Sequence, residues 1–222
     1  MRYNVVLLDI DGTLLDSNDA HAHAWVRALS AHGHDVEFQP VRSRIGMGGD
    51  KLLQQVAEID TDSALGRSIS DVRSEIFSSK YLPTLRPTPG ARRLVEWLKH
   101  EGARIVIATS AGEEEAMALL RAAGVHDLID RIATSDDAEE SKPDPDIVQA
   151  ALAKSGGLKP DAIMVGDTPY DIQAASLAGV PTVALRTGGW SDTDLRNAIA
   201  IFDTPDELVT RVAESPFFNA RP

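Results

Sequence analysis

The sequence predicts an α/β protein, a parallel β-sheet with helices on both faces and an inserted all-helical domain. Three observations carry this. Short apolar runs alternate with helix-length amphipathic stretches, as βαβ units require. Between residues 16 and 85 the alternation stops and only helical periodicity remains. Four motifs rich in carboxylates and hydroxyls stand beside the apolar runs or in turns, where open α/β sheets bind ligands.

Taken in order, Val5-Val6-Leu7-Leu8 is an apolar run ended by a turn, which reads as a buried parallel strand. Similar runs lie at 104–108, 162–165, 181–185 and 198–202, with a weaker one at 130–134. Residues 91–100 set Leu94, Val95, Trp97 and Leu98 on one helical face. The stretches 113–123, 146–155 and 170–178 run into Gly124, Gly156-Gly157 and Gly179, which suit helix stops.

In the insert, residues 20–31 group Ala24, Trp25, Ala28 and Leu29, and residues 50–59 group Leu52, Leu53, Val56 and Ile59. Residues 63–81 carry Leu65, Ile69, Val72, Ile76 and Phe77, and Pro83, Pro87 and Pro89-Gly90 mark the linker back. The expected division is a core of residues 1–15 and 86–222 and a helical insert of residues 16–85. The tail from Ser191 is expected to add a strand and a helix to the core. It ends near Phe217-Phe218, which would either pack on the core or mark a contact surface.

A chain of 222 residues, 43% of them hydrophobic, can bury one sizeable core and a small second module. It has no cysteine, which excludes disulfides, zinc-thiolate sites and thiol nucleophiles and fits a reducing cytoplasm. No secretory segment or membrane-length apolar stretch is read. The net charge of −12 speaks against nucleic acid and anionic membranes as partners. It would also repel a phosphorylated substrate, so such a substrate would need local positive charge from a metal ion and a few placed cations.

The motifs supply that chemistry. Asp9-Ile10-Asp11-Gly12-Thr13 follows the first strand, placing Asp9 at its carboxyl end. Asp11, two residues on, is near enough to hand a proton to a group attached to Asp9. Gly12 permits a turn whose amides can face a phosphate. Thr109 and Ser110 end the second long strand before a helix, where hydroxyls and amides suit an anion. Ser110 reads equally as a helix N-cap. Lys142, followed by Pro143-Asp144-Pro145, is a rigidly presented cation. Asp167 and Asp171 flank a turn after another buried strand. Such oxygen ligands, with no histidine or cysteine beside them, suit Mg²⁺. Asp171 can also cap the following helix.

At these motifs the chain resembles the haloacid dehalogenase-like hydrolase superfamily. The likeness is to the branch with a helical cap after the first strand, which includes phosphoglycolate phosphatases, β-phosphoglucomutases and phosphonoacetaldehyde hydrolases. It covers Asn4 to about Gly188. It implies a Rossmann-like core, a mobile cap and a covalent aspartyl-phosphate mechanism. By position, Asp9 resembles the nucleophile, Asp11 the general acid/base, Thr109 the phosphoryl-holding hydroxyl and Lys142 the cation beside it. Asp9, the Asp11 backbone carbonyl and Asp167 match Mg²⁺ ligands, with Asp171 in support.

An acid at Asp11 speaks against the dehalogenase and phosphonate-cleaving members. Gly166 and Gly48-Gly49 replace residues typical of mutases. The expected function is a phosphatase acting on a small-molecule phosphate ester, a sugar phosphate or phosphoglycolate. A sugar-phosphate mutase is the enzymatic alternative and a silent phosphate-ester-binding module the other. Substrate contacts are expected from Gly12, Ser110, His21, Arg44 and Lys51. His21 and Lys51 also fit plain packing and surface roles.

Overall fold

The first strand, β1 (Val5–Leu8), is buried along its whole length because it lies inside a six-stranded sheet. The others are β2 (Arg104–Ala108), β3 (Arg131–Ala133), β4 (Ala162–Gly166), β5 (Thr182–Leu185) and β6 (Ala200–Phe202). Their spatial order is β3-β2-β1-β4-β5-β6 and every pairing is parallel. β1 pairs Leu8 with Ile107 on one side and with Val165 on the other. The computed structural model describes residues 2–156 and 161–217, so Gly157 and Phe218 lie outside the described residues.

The helices are α1 (Asn18–Ala31), α2 (Phe38–Arg42), α3 (Gly49–Ala57), α4 (Ala64–Ile76), α5 (Ala91–His100), α6 (Glu113–Ala122), α7 (Asp146–Ser155), α8 (Pro169–Leu177) and α9 (Pro205–Thr210). The chain divides into two compact units, Met1–Asp16 with Arg86–Pro222, and Ser17–Leu85.

In the first unit, Val5, Leu7, Val106, Ala108 and Met164 form one side of the core. They pack on Ile147, Val148 and Ala151 of α7 and on Ala174 and Ala175 of α8. Period-two alternation would be wrong here: parallel strands covered on both faces read as unbroken apolar runs. β3 and β6, at the sheet edges, are shorter than the apolar runs that announced them. Phe217 is fully buried, edge-on to Tyr3 and Trp97, which settles it as core packing.

The second unit is helical throughout. Its long apolar stretch divides into α4 and a π-helical turn at Phe77–Tyr81. Phe77 faces inward there and stacks on His21, while Ser78, Ser79 and Lys80 are exposed. The short helix α2 carries no periodic signal long enough to read from sequence. No helix among the described residues is long and apolar enough to cross a membrane.

Candidate active site

Strand order places the site. The chain builds outward from β1 through β2 to β3, then returns to β4 on the other side of β1, so its direction reverses between β1 and β4. The carboxyl ends of strands at such a reversal leave a crevice. Asp9 stands there, its N–H donating to the Val165 carbonyl at 3.1 Å. Thr109 follows β2 and Asp167 follows β4.

Lys142 arrives from the loop before α7 and is 1% exposed. Its ammonium donates to Asp9 Oδ1, Asp171 Oδ1 and the Ala108 carbonyl, each at 2.7 Å. Those three acceptors match the three N–H donors of an ammonium. Burial disfavours its charge, but Asp171 and Asp9 outweigh that and hold its pKa above the ordinary lysine value.

Asp9 is under the opposite pressure. Burial, with Asp171 and Asp11 nearby, pushes its carboxyl up to about 7 against the pull of Lys142. Asp9, Asp167 and Asp171 each present an oxygen within 4.8 Å of the others. Three carboxylates facing one ammonium leave two negative charges to be balanced when all are ionised. An oxygen-only donor set with that deficit fits a hard divalent cation such as Mg²⁺.

Asp171 is also a helix cap. Its Oδ2 accepts from the Thr168 N–H at 3.1 Å and from the Thr168 hydroxyl at 2.7 Å, while Thr168 Oγ1 accepts from the Asp171 N–H at 3.2 Å. This reciprocal pair opens α8. With Oδ1 on Lys142 and Oδ2 on Thr168, the side chain is held at both oxygens. The capping role and the place in the acid cluster therefore coincide.

Of the other core residues singled out from sequence, Thr109 is buried and its hydroxyl accepts from the Ala111 N–H at 3.1 Å. The buried Ser110 hydroxyl has no hydrogen-bond partner among the described residues, and Ser110 is not the N-cap: α6 begins after Gly112. Asp11 is half-buried in the turn after β1. Gly12 takes the expected positive φ of 78°, but its own N–H donates to the Leu15 carbonyl at 2.7 Å. Its positive φ shapes the turn, and its own N–H is spent on closing it.

The three insert residues belong to the other unit. His21 is buried and stacks on Phe77 with centroids 4.0 Å apart. Its Nδ1 lies 2.7 Å from Arg73 Nη2. A guanidinium can only donate, so Nδ1 accepts and Nε2 carries the hydrogen. Arg44, in the loop between α2 and α3, is held by both helices, donating to Gln55 Oε1 of α3 at 3.0 Å and to the Pro40 carbonyl of α2 at 2.8 Å. Lys51 is half-buried in the first turn of α3.

Sequence reading assigned no role to Thr13, whose hydroxyl donates to Asp167 Oδ1 at 3.1 Å. It also missed Gly188, where a Cβ would overlap Asp167 Oδ2. Thr168 was legible, since a threonine three residues before an acid is a capping-box signature. Nothing local announces the Gly188 contact.

Comparison with known proteins identifies the family. The family model for haloacid dehalogenase-like hydrolase matches residues 6–185. Validoxylamine A 7'-phosphate phosphatase from Streptomyces hygroscopicus subsp. limoneus is 30% identical over 189 residues, covering 83% of this chain and 86% of that protein. A phosphoglycolate phosphatase from Rhodospirillum rubrum is 30% identical over 211 residues, covering 89% and 86%. The crystal structure of a hydrolase from Pseudomonas syringae aligns with a TM-score of 0.87 at 29% identity, covering 95% of this chain and 98% of that one. With the acid cluster at the sheet reversal and a match across most of its length, the chain belongs to the haloacid dehalogenase-like hydrolase family.

Proposed function

We propose that this enzyme is a Mg²⁺-dependent phosphoric monoester hydrolase acting on a small phosphorylated metabolite through an aspartyl-phosphate. The observation that carries the reading is the buried ammonium of Lys142 held between Asp9 and Asp171, beside Asp167. An anionic nucleophile can meet an anionic phosphoryl group only where charge is already neutralised by fixed groups.

Asp9 Oδ attacks phosphorus, and the bond from phosphorus to the ester oxygen breaks. Asp11, as general acid, gives its proton to the departing oxygen, which leaves as an alcohol. Asp11 then takes a proton from water, whose oxygen attacks phosphorus. The bond to Asp9 breaks and inorganic phosphate is released. Lys142 holds Asp9 in place and neutralises phosphoryl oxygens, and the Thr109 and Ser110 hydroxyls donate to them. Asp9, the Asp11 carbonyl and Asp167 would hold Mg²⁺, with Asp171 in support. The ion would supply positive charge to the transferring group.

A sugar phosphate or phosphoglycolate is the substrate class supported by the relatives, which are named as phosphatases of validoxylamine A 7'-phosphate, fructose-1-phosphate and phosphoglycolate. The test is phosphate release from a panel of small phosphate esters with and without Mg²⁺, beside Asp9→Asn. Expected is metal-dependent release that falls by roughly 10³-fold or more in the variant. Activity retained by Asp9→Asn would sink the covalent mechanism, and isomerised ester without free phosphate would replace hydrolysis with mutase chemistry.

A further inference from the structure

Gly166 closes β4 immediately before Asp167, yet its backbone does not require glycine. It is absent from the positive-φ positions and pairs in register with Ala184 of β5. A glycine inside a strand weakens it and usually marks a close approach by another group. That group here is the Asp171 side chain. A Cβ at Gly166 would lie 2.6 Å from both Cβ and Cγ of Asp171 and 2.7 Å from its Oδ2.

Asp171 has little room to retreat. It is 1% exposed, with Oδ1 on Lys142 and Oδ2 on the Thr168 N–H and hydroxyl. Its backbone is fixed in the first turn of α8, and the backbone of Gly166 is fixed by the sheet. We infer that Gly166 is a positioning residue: its bare α-carbon is the seat of the Asp171 side chain, and through Asp171 it fixes Lys142 against Asp9. A side chain at position 166 and the present Asp171 rotamer exclude each other. The inference rests on the proposed function only where turnover is the readout.

Five variants test it: Gly166→Ala, Asp171→Gly, Asp171→Ala, and Gly166→Ala combined with Asp171→Gly or with Asp171→Ala. Two readouts are needed. One is phosphate release; the other is acylation of Lys142 by an amine-reactive reagent, located by peptide mass spectrometry in metal-free protein whose folding is checked by circular dichroism. Gly166→Ala should lower turnover ~10- to 100-fold, as loss of a supporting group around a metal site does, and should raise Lys142 labelling toward that of Asp171→Gly.

The pattern of rescue is specific. The overlap includes Cβ on Cβ, so Asp171→Gly makes room for the new methyl group and Asp171→Ala does not. Gly166→Ala should therefore be silent on the Asp171→Gly background and harmful on the Asp171→Ala background. Wild-type labelling in Gly166→Ala, or the same added loss on both backgrounds, overturns the inference. If Gly166→Ala does not fold, the Asp171→Gly double variant should fold; its failure would assign Gly166 a backbone role and likewise overturn it. An inactive wild type would count against the phosphatase reading alone, because Lys142 labelling still decides the positioning role.

Discussion

Each unit of the chain holds a shielded cation, and the two are accommodated in different ways. Lys142 in the sheet unit is surrounded by oxygen, with two carboxylates and a carbonyl at 2.7 Å. Arg73 in the helical unit lies over the faces of Trp25 and Phe77, 5.4 and 5.3 Å from their centroids, and donates to His21. A guanidinium on aromatic faces is weakly hydrated and tolerates packing. An ammonium taken out of water needs opposite charge to stay ionised. The aromatic arrangement around Arg73 holds helices together. The oxygen cage around Lys142 concentrates charge at a point, which is what a reaction at phosphorus needs.

If that contrast is correct, removing the two cations has unequal consequences. Lys142→Ala leaves two buried carboxylates without their counter-charge and should cost about 3–5 kcal/mol. Arg73→Met keeps much of the packing and should cost about 1–2 kcal/mol. Urea unfolding of the metal-free proteins measures both. Added Mg²⁺ should stabilise Lys142→Ala more than wild type, because its acid cluster has the greater charge deficit. Equal losses, or no extra stabilisation by Mg²⁺, would break the comparison.

A smaller effect sharpens the same contrast through pH. The Asp9 carboxyl rises from 3.8 to about 7, with burial the largest cause. Between those values the folded state keeps a proton that the unfolded state has released, so Asp9 makes the metal-free fold less stable as pH rises through that window. A metal ion must displace the proton. Mg²⁺ affinity by calorimetry should therefore be about tenfold weaker at pH 6 than at pH 8, one proton being displaced from a group titrating near 7. An affinity unchanged over that range would exclude competition at Asp9.

The sheet unit was more legible in sequence than the helical unit, for a physical reason. β1, β2 and β4 are buried on both faces, so their residues form unbroken apolar runs, and the reactive groups follow those runs directly. Position in such a strand locates Asp9, Thr109 and Asp167 with no knowledge of side-chain contacts. Lys142 was found by its rigid proline context, but its partners come from β1, β2 and α8 and are invisible locally. Gly166 and Gly188 were legible only as glycines, since the atoms they make room for are defined by tertiary packing. In the helical unit, amphipathic periodicity identified α1, α3 and α4 but could not say how His21 or Arg44 would be used. Both proved to be engaged within their own unit.

The smallest expected effect is the most useful control, because it separates distance from environment. Arg42 and Asp19 form an ion pair at 2.5 Å, shorter than either carboxylate contact of Lys142. The Asp19 side chain is 72% exposed, so water and salt screen the pair. Asp19 also lies in the first turn of α1, where a negative charge is modestly favourable. Asp19→Asn should therefore cost less than about 1 kcal/mol in urea unfolding, and less still in high salt. A loss of the size expected for Lys142→Ala would mean that contact distance alone sets these energies. The burial that distinguishes the acid cluster from an ordinary surface pair would then explain nothing about it.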